Sequence, residues 1–333
     1  MQLDVSGEKP RLVAAGVAPT PNNAVSNNTV SNPKLVGEAI RKLLNESDVT
    51  ATRATVVLPG TCIFSKRISI AANSIEQLEE LLQFEAANYI PHSISDVFMD
   101  FQVLGHDGNG TADVLIVAVK NEILNSYVDA VAYAGLEPGI VDVDYYALEN
   151  MFDLSASEEG KKCVALINLG AKFSAVDLLI DGKNIFTGDI GTGTRSLSDA
   201  LQEATGMKAP EAERALKGEL ADREDVDLIN ETLERKTEAL VSEIHRQLGF
   251  FWSAAGIEEA IEDIVLCGGG AATKGLLSEL SEKTGISCRI ADPFEGIDWE
   301  DNFDRDFLNE LGPAMAISVG AALRQFGDKE HKL

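Results

Sequence analysis

The sequence predicts an α/β protein of at least two domains, and three observations carry that reading. Residues 263–280 run from an apolar stretch (Ile264, Val265, Leu266, Cys267) through three glycines into a helical pattern (Leu276, Leu277, Leu280), which reads as strand, tight turn and helix. Three strand patterns follow one another closely at 164–169, 175–180 and 184–190, the last two joined by the hairpin dipeptide Asp181-Gly182. Strand and helix patterns alternate through the rest of the 333 residues, a length sufficient for two or more cores.

Taken in order, residues 2–5 and 11–17 read as a β-hairpin about the turn 6–10, followed by a polar Pro/Asn/Ser stretch over 19–32. A helix opens at Pro33, with Leu35, Val36, Ala39, Ile40, Leu43 and Leu44 on one face. Residues 54–60 form a β-branched strand and turn, and 63–70 continue extended. Ser74 and Gln77 have the spacing of a capping box, opening a helix through Leu78, Leu82 and Tyr89 that Pro91 closes. Strands at 97–104 and 112–119 flank the turn 106–110, and a helix runs from Asn121 to Gly135. Residues 140–143 return to strand pattern before a helix through Tyr146, Leu148 and Met151.

In the second half, the strand at 184–190 leads into Gly191-Thr192-Gly193 and then a helix capped by Ser196. Helices cover 210–220 and 228–252, the second amphipathic through Ile229, Leu233, Leu240, Ile244 and Leu248. Residues 288–290 form a short strand, 298–305 an acidic loop and 312–326 an alanine-rich helix. The glycine turns at 170, 191–193 and 268–270 are the candidate ligand-facing loops, because a residue without Cβ lets a ligand approach the backbone.

Fifty-four acidic against 28 basic residues give a net charge of −26, which repels phosphate backbones and anionic lipid headgroups. Neither nucleic acid nor direct membrane insertion is expected. Cys62, Cys163, Cys267 and Cys288 never stand in CxxC spacing and read as reduced thiols of a cytoplasmic protein. No apolar run approaches the roughly 20 residues of a membrane span, and the chain opens without a charged-then-apolar leader. His92, His106, His245 and His331 are scattered without metal-ligand spacing, and no Ser/His/Asp arrangement suggests itself. Catalytic residues therefore stay unknown, and no metal ligands are assigned.

The order of several motifs adds a resemblance. LINLGAKFSAVDLLIDGKNIFTGDIGTG from Leu166, the AExxLK pattern from Ala212 to Lys217, the LCGGGAATKGL turn and the closing AISVGAALR together resemble the type IV pilus assembly PilM family. More widely they resemble the actin-like ATPases, including FtsA. IEQLEELLQFEAANYIP, MDFQVLG and the segment 114–148 resemble that family's small extra subdomain.

The resemblance implies an actin-like fold of two RNase H-like domains with a small inserted α+β subdomain. Its boundaries would be 1–65 and 137–160 for domain 1A, 66–136 for subdomain 1C, 161–206 and 261–310 for domain 2A, and 207–260 for subdomain 2B. Residues 311–333 would return to domain 1A. It implies ATP or ADP, with Mg²⁺, in a cleft. The phosphate loop maps onto Asn168, Gly170, Ala171, Lys172 and Ser174, and the adenosine side onto Glu213, Lys217, Gly268, Gly269 and Gly270. The implied partner is the cytoplasmic tail of a PilN-like inner-membrane protein, docked beside 63–70 and the helix 74–89, with other pilus assembly proteins of the twitching-motility machine further on. Self-association stays open.

Two departures shape the expected chemistry. Counting strands, the chain starts after the family's first strand, whose Asp-x-Gly turn holds metal and phosphate, so Asp4-Val5-Ser6-Gly7 reads as an ordinary hairpin turn. Asn168 stands where actin-like ATPases usually carry aspartate, and an amide binds a magnesium-bound water less strongly. The expectation is at most a weak ATPase. The alternatives are an active phosphotransferase such as a sugar kinase, which needs a carboxylate base and a sugar pocket, and an FtsA-like filament protein, which needs an amphipathic C-terminal helix. The tail 325–333 is short and polar.

Overall fold

The computed structural model describes residues 1–26, 28–106, 110–155, 163–220, 222–299, 303–325 and 327–328. The chain divides into one unit of Met1–Gln2, Val13–Asp144 and Arg324–Leu333, and a second of Leu3–Leu12 and Tyr145–Leu323. An opening pair of strands, β1 (Gln2–Asp4) and β2 (Arg11–Ala14), straddles that division. Its turn is stapled locally: Asp4 accepts from the Ser6 amide at 3.1 Å and pairs with Arg11 at 3.2 Å.

In the first unit, β3 (Val25–Ser26) and β4 (Thr29–Val30) make a small hairpin inside the stretch that the sequence presents as a loop. The α1 helix (Pro33–Glu46) starts on Asn32, whose side chain accepts from the Leu35 amide, with proline in its first turn. β5 (Arg53–Leu58) and β6 (Ile63–Ala71) precede α2 (Ile75–Tyr89). Ser74 accepts from the Gln77 amide, but Gln77 reaches back to the Asn73 amide and not to that of Ser74, so only half of the expected capping box forms. β7 (Val97–His106), β8 (Thr111–Lys120), α3 (Asn121–Tyr133) and β9 (Glu137–Val143) follow; the turn residues 107–109 lie outside the described residues.

The sheet order β6-β8-β7 puts the longest apolar alternation in the centre: Ala112, Val114, Ile116 and Ala118 are buried on one face of β8. Leu78, Leu82 and Ala86 recur every four residues on α2 and close that core. Burying each leucine contributes on the order of 1.5–3 kcal/mol. β5 and β9 pair in parallel.

The second unit opens with α4 (Asp144–Ser155, its first residue belonging to the first unit) and is organised on a five-stranded sheet. Its strands are β10 (Cys163–Leu169), β11 (Ser174–Ile180), β12 (Lys183–Ile190), β13 (Asp263–Cys267) and β14 (Ser287–Ile290), in the order β12-β11-β10-β13-β14. The first three are antiparallel; β13 joins β10 in parallel, and β14 joins β13 in parallel. β10 and β13 are buried on both faces, so they read as continuous apolar runs with no alternation. Helices α5 (Arg195–Thr205), α6 (Ala209–Leu216), α7 (Val226–Ala255) and α8 (Leu276–Thr284) pack on the face formed by Ala165, Ile167, Val176, Leu178 and Ile190.

Several element limits differ from the sequence reading: β2 ends at Ala14 and not at 17, β9 starts at Glu137 and not at 140, and α6 ends at Leu216 and not at 220. α5 begins on Thr194, and Ser196 donates to the Gly193 carbonyl one turn back, so it is not the cap. α9 (Arg305–Ala322) starts seven residues before Gly312 because Asp304 accepts from the Asp306 and Phe307 amides. It runs through Pro313, and it ends before 326, which with 300–302 and 329–333 lies outside the described residues. Among the described residues, no helix is long and apolar enough to cross a membrane.

Candidate functional site

The candidate residues all fall in the second unit, and eight of the ten gather at the end of the sheet where β10 and β13 both terminate. Parallel pairing sets Asn168 beside Cys267, so the turn after β10 and the glycine loop after β13 emerge side by side. Gly268 is the one glycine of the triplet at positive φ, +84°. A Cβ there would stand 2.4 Å from Asn168 Oδ1 and 2.6 Å from the Leu169 carbonyl oxygen, so the close approach of the two loops requires glycine. The loop is then tied on both sides: the Gly268 amide donates to the Pro313 carbonyl at 2.7 Å and the Gly270 amide to the Leu169 carbonyl at 2.9 Å. Gly268 and Gly270 are buried; Gly269 is exposed.

A third loop joins from β12. Thr194 and Arg195 donate their amides to the Gly170 and Ala171 carbonyls at 3.0 and 2.8 Å, and the buried Ser174 hydroxyl donates to the Thr192 carbonyl at 2.8 Å. A Cβ on Gly193 would lie 2.3 Å from the Gly170 oxygen. The Gly170 and Ala171 carbonyls of the 170–173 turn are thus committed, while not all of its amides are. Among the described residues, those of Ala171 and Lys172 donate no hydrogen bond. Lys172 and Phe173 are exposed at the tip.

The structure thus brings Asn168, Gly170, Ala171, Lys172, Ser174, Gly268, Gly269 and Gly270 together. Ser174 contributes as a fastener of the neighbouring loop, its hydroxyl already engaged. Glu213 and Lys217 stand four residues apart at the end of α6, and that end is anchored to the glycine loop by the Lys274 amide, which donates to the Leu216 carbonyl at 2.8 Å. Glu213 is exposed. Lys217 Nζ lies 2.7 Å from Glu310 Oε1, and this partner holds the Glu310 carboxyl below its ordinary value.

Sequence reasoning missed two features. Glu310 lies on α9, 93 residues away, and nothing local marks it as a partner. Asp189 on β12 is the second: Ala175 pairs with Asn168 on one side and Asp189 on the other, so one row across the sheet carries an amide, a methyl and a carboxylate. Burial raises Asp189 to about 6. An acid inside the strand pattern 184–190, two residues before the Gly191-Thr192-Gly193 turn, was the available signal.

A sheet of three antiparallel strands extended by parallel ones, with glycine turns meeting at its end, defines the class as that of the actin-like ATPase fold. The chain belongs to the family of the type IV pilus assembly protein PilM, whose sequence profile matches residues 1–326. It is similar to the solved structure of a PilM-PilN type IV pilus biogenesis complex, at 25% identity over 97% of this chain and 94% of that one, with a TM-score of 0.82. The ethanolamine utilization protein EutJ from Carboxydothermus hydrogenoformans shares the fold at 14% identity, over 90% of this chain and 77% of that one, with a TM-score of 0.52.

Proposed function

We propose that this pilus assembly protein acts as a cytoplasmic actin-like scaffold that holds ATP or ADP on the second unit and the tail of a PilN-like inner-membrane protein on the first. The observation that carries the nucleotide reading is the convergence of three turns whose carbonyls are tied to each other, leaving the Ala171 and Lys172 amides and the exposed Gly269 for a ligand. Backbone donors and one lysine suit a phosphate chain, which supplies negative charge and acceptor oxygens when bound. Asn168 supplies no charge there, so a magnesium ion's water, were one bound, would be held only weakly by this residue and hydrolysis would stay slow.

For the partner, β6 pairs only with β8 among the described residues, so its other edge offers main-chain donors and acceptors to an extended peptide. α2 flanks it, with Lys66 Nζ 4.5 Å above the Tyr89 ring and Phe84 78% exposed. The similarity to a PilM-PilN complex, a pairing of these two kinds of protein, supports this reading.

Calorimetry with ATP and Mg²⁺, run beside a phosphate-release assay, tests the first half; steady turnover that disappears in Lys172→Ala would overturn the inactive scaffold. A pull-down with PilN-like tail peptides tests the second. Capture undiminished by Phe84→Ser together with charge reversal at Lys66 would remove the α2–β6 assignment.

A further inference from the structure

A groove of about 320 Å³ lies between α7 and the start of α8, with Lys274 from the far end of the glycine loop at its edge. Asn230, Leu233 and Thr237 line it from α7, and Lys274, Gly275 and Ser278 from the other side. Thr237 is 3% exposed, and its hydroxyl has no hydrogen-bond partner. A buried hydroxyl left unmatched beside a cavity calls for a ligand atom or a water to complete it.

Beside the groove runs a row of carboxylates. Asp227, Glu231, Glu234 and Glu238 recur on α7 at intervals of four, three and four residues, which keeps them within an arc of about 60° at 100° per residue. All four are exposed, and among the described residues none makes an ion pair. Like charges at these intervals repel along a helix, so the row weakens α7 unless a cation faces it. Glu234 belongs to both the row and the groove wall, as does Glu279 to the opposite wall. The one lysine lining the groove is turned aside: Lys274 Nζ donates to Asn230 Oδ1 at 3.1 Å.

We propose that this groove and the carboxylate row beside it form a docking surface for a basic segment of a partner protein. A lysine or arginine of that segment lays its stem along Leu233 and donates to Thr237 Oγ1 and Glu234, while its neighbours face Glu231 and Glu238. The excess of glutamates over the single tethered lysine selects a cationic occupant, and the net charge of −26 excludes nucleic acid.

Because the whole chain is acidic, the test must separate this surface from general attraction. The probe is an octapeptide of four lysines interspersed with leucine and serine, titrated into the full chain at low salt and then fixed by carbodiimide coupling of amine to carboxylate. Cross-links are expected to concentrate at Glu231, Glu234 and Glu238. Changing those three to glutamine weakens binding by about tenfold, whereas Glu38→Gln, Glu203→Gln and Glu282→Gln together change it by less than about twofold. Thr237→Val weakens the peptide by about threefold and leaves the thermal midpoint unchanged or raised, since it removes only an unmatched hydroxyl. Cross-links spread in proportion to exposure, an equal loss from the control triple, or undiminished binding by Thr237→Val overturns the proposal.

Discussion

Lys217 and Glu310 form an ion pair of 2.7 Å between the end of α6 and α9. The lysine that the family resemblance assigns to adenosine is thereby already engaged by a carboxylate of its own chain. Exposed pairs of this kind contribute about 0–1 kcal/mol, so neither partner is needed for folding. Lys217→Ala is expected to weaken ADP binding and Glu310→Gln to strengthen it by about two- to fivefold, both with unchanged thermal midpoints. Calorimetric titration of the two variants settles the matter. Equal weakening by both would show that the pair acts as a unit and that Lys217 does not exchange partners.

The two glycines at 268 and 269 separate folding from binding. Gly268→Ala forces a Cβ into φ +84° and to within 2.4 Å of Asn168 Oδ1, which costs about 2–4 kcal/mol from conformation and overlap together. Gly269→Ala meets nothing within 4 Å and has no positive φ, so its stability changes by less than about 1 kcal/mol. Urea unfolding measures both. If nucleotide approaches the exposed Gly269, that variant alone combines wild-type stability with reduced ADP affinity.

Much of this architecture was legible because local chemistry and tertiary role agree. Pro33 opens α1 in the structure as it does in the sequence, and the apolar runs at 164–169 and 263–267 are strands buried on both faces. The failures occurred where a cap is hidden among like residues or where a distant partner decides. Asp304 looks like one more acid in an acidic loop until its side chain is seen accepting from two amides of α9. Pro313 stands at the start of the helix that the sequence reading places at 312–326, yet α9 begins at Arg305 and continues through it. The phosphate-loop residues could be nominated from a motif, but not the tying of Gly170 and Ala171 by Thr194 and Arg195, because that depends on how β12 returns to the sheet.

Asp189 makes a pH prediction. Its folded-state value, raised to about 6 by burial, lies above the ordinary 3.8, so the folded chain holds this proton more tightly than the unfolded one. The contribution is favourable at low pH and is lost as pH rises from about 4 to about 6. Asp189→Asn is therefore expected to be more stable than the parent at pH 7, with the difference shrinking toward pH 4. Unfolding curves of the pair across that window check it; a constant difference would mean that Asp189 does not titrate there.

The last prediction concerns Asn168. Its side-chain oxygen faces the Gly268 backbone, and Cys267 Sγ lies 4.0 Å from it, so the position is packed but not sealed, being only partly buried. A carboxylate of nearly the same shape fits the space and restores a negative charge beside the 170–173 turn. If the neutral amide limits turnover, Asn168→Asp raises magnesium-dependent phosphate release by at least about tenfold over a low parental rate, as expected when a group regains hold of a metal-bound water. Chelation by EDTA must abolish the gain, and Asn168→Ala must not show it. An Asn168→Asp variant that binds ADP as the parent does, yet releases no more phosphate, would place the block elsewhere in the site and remove the amide as its cause.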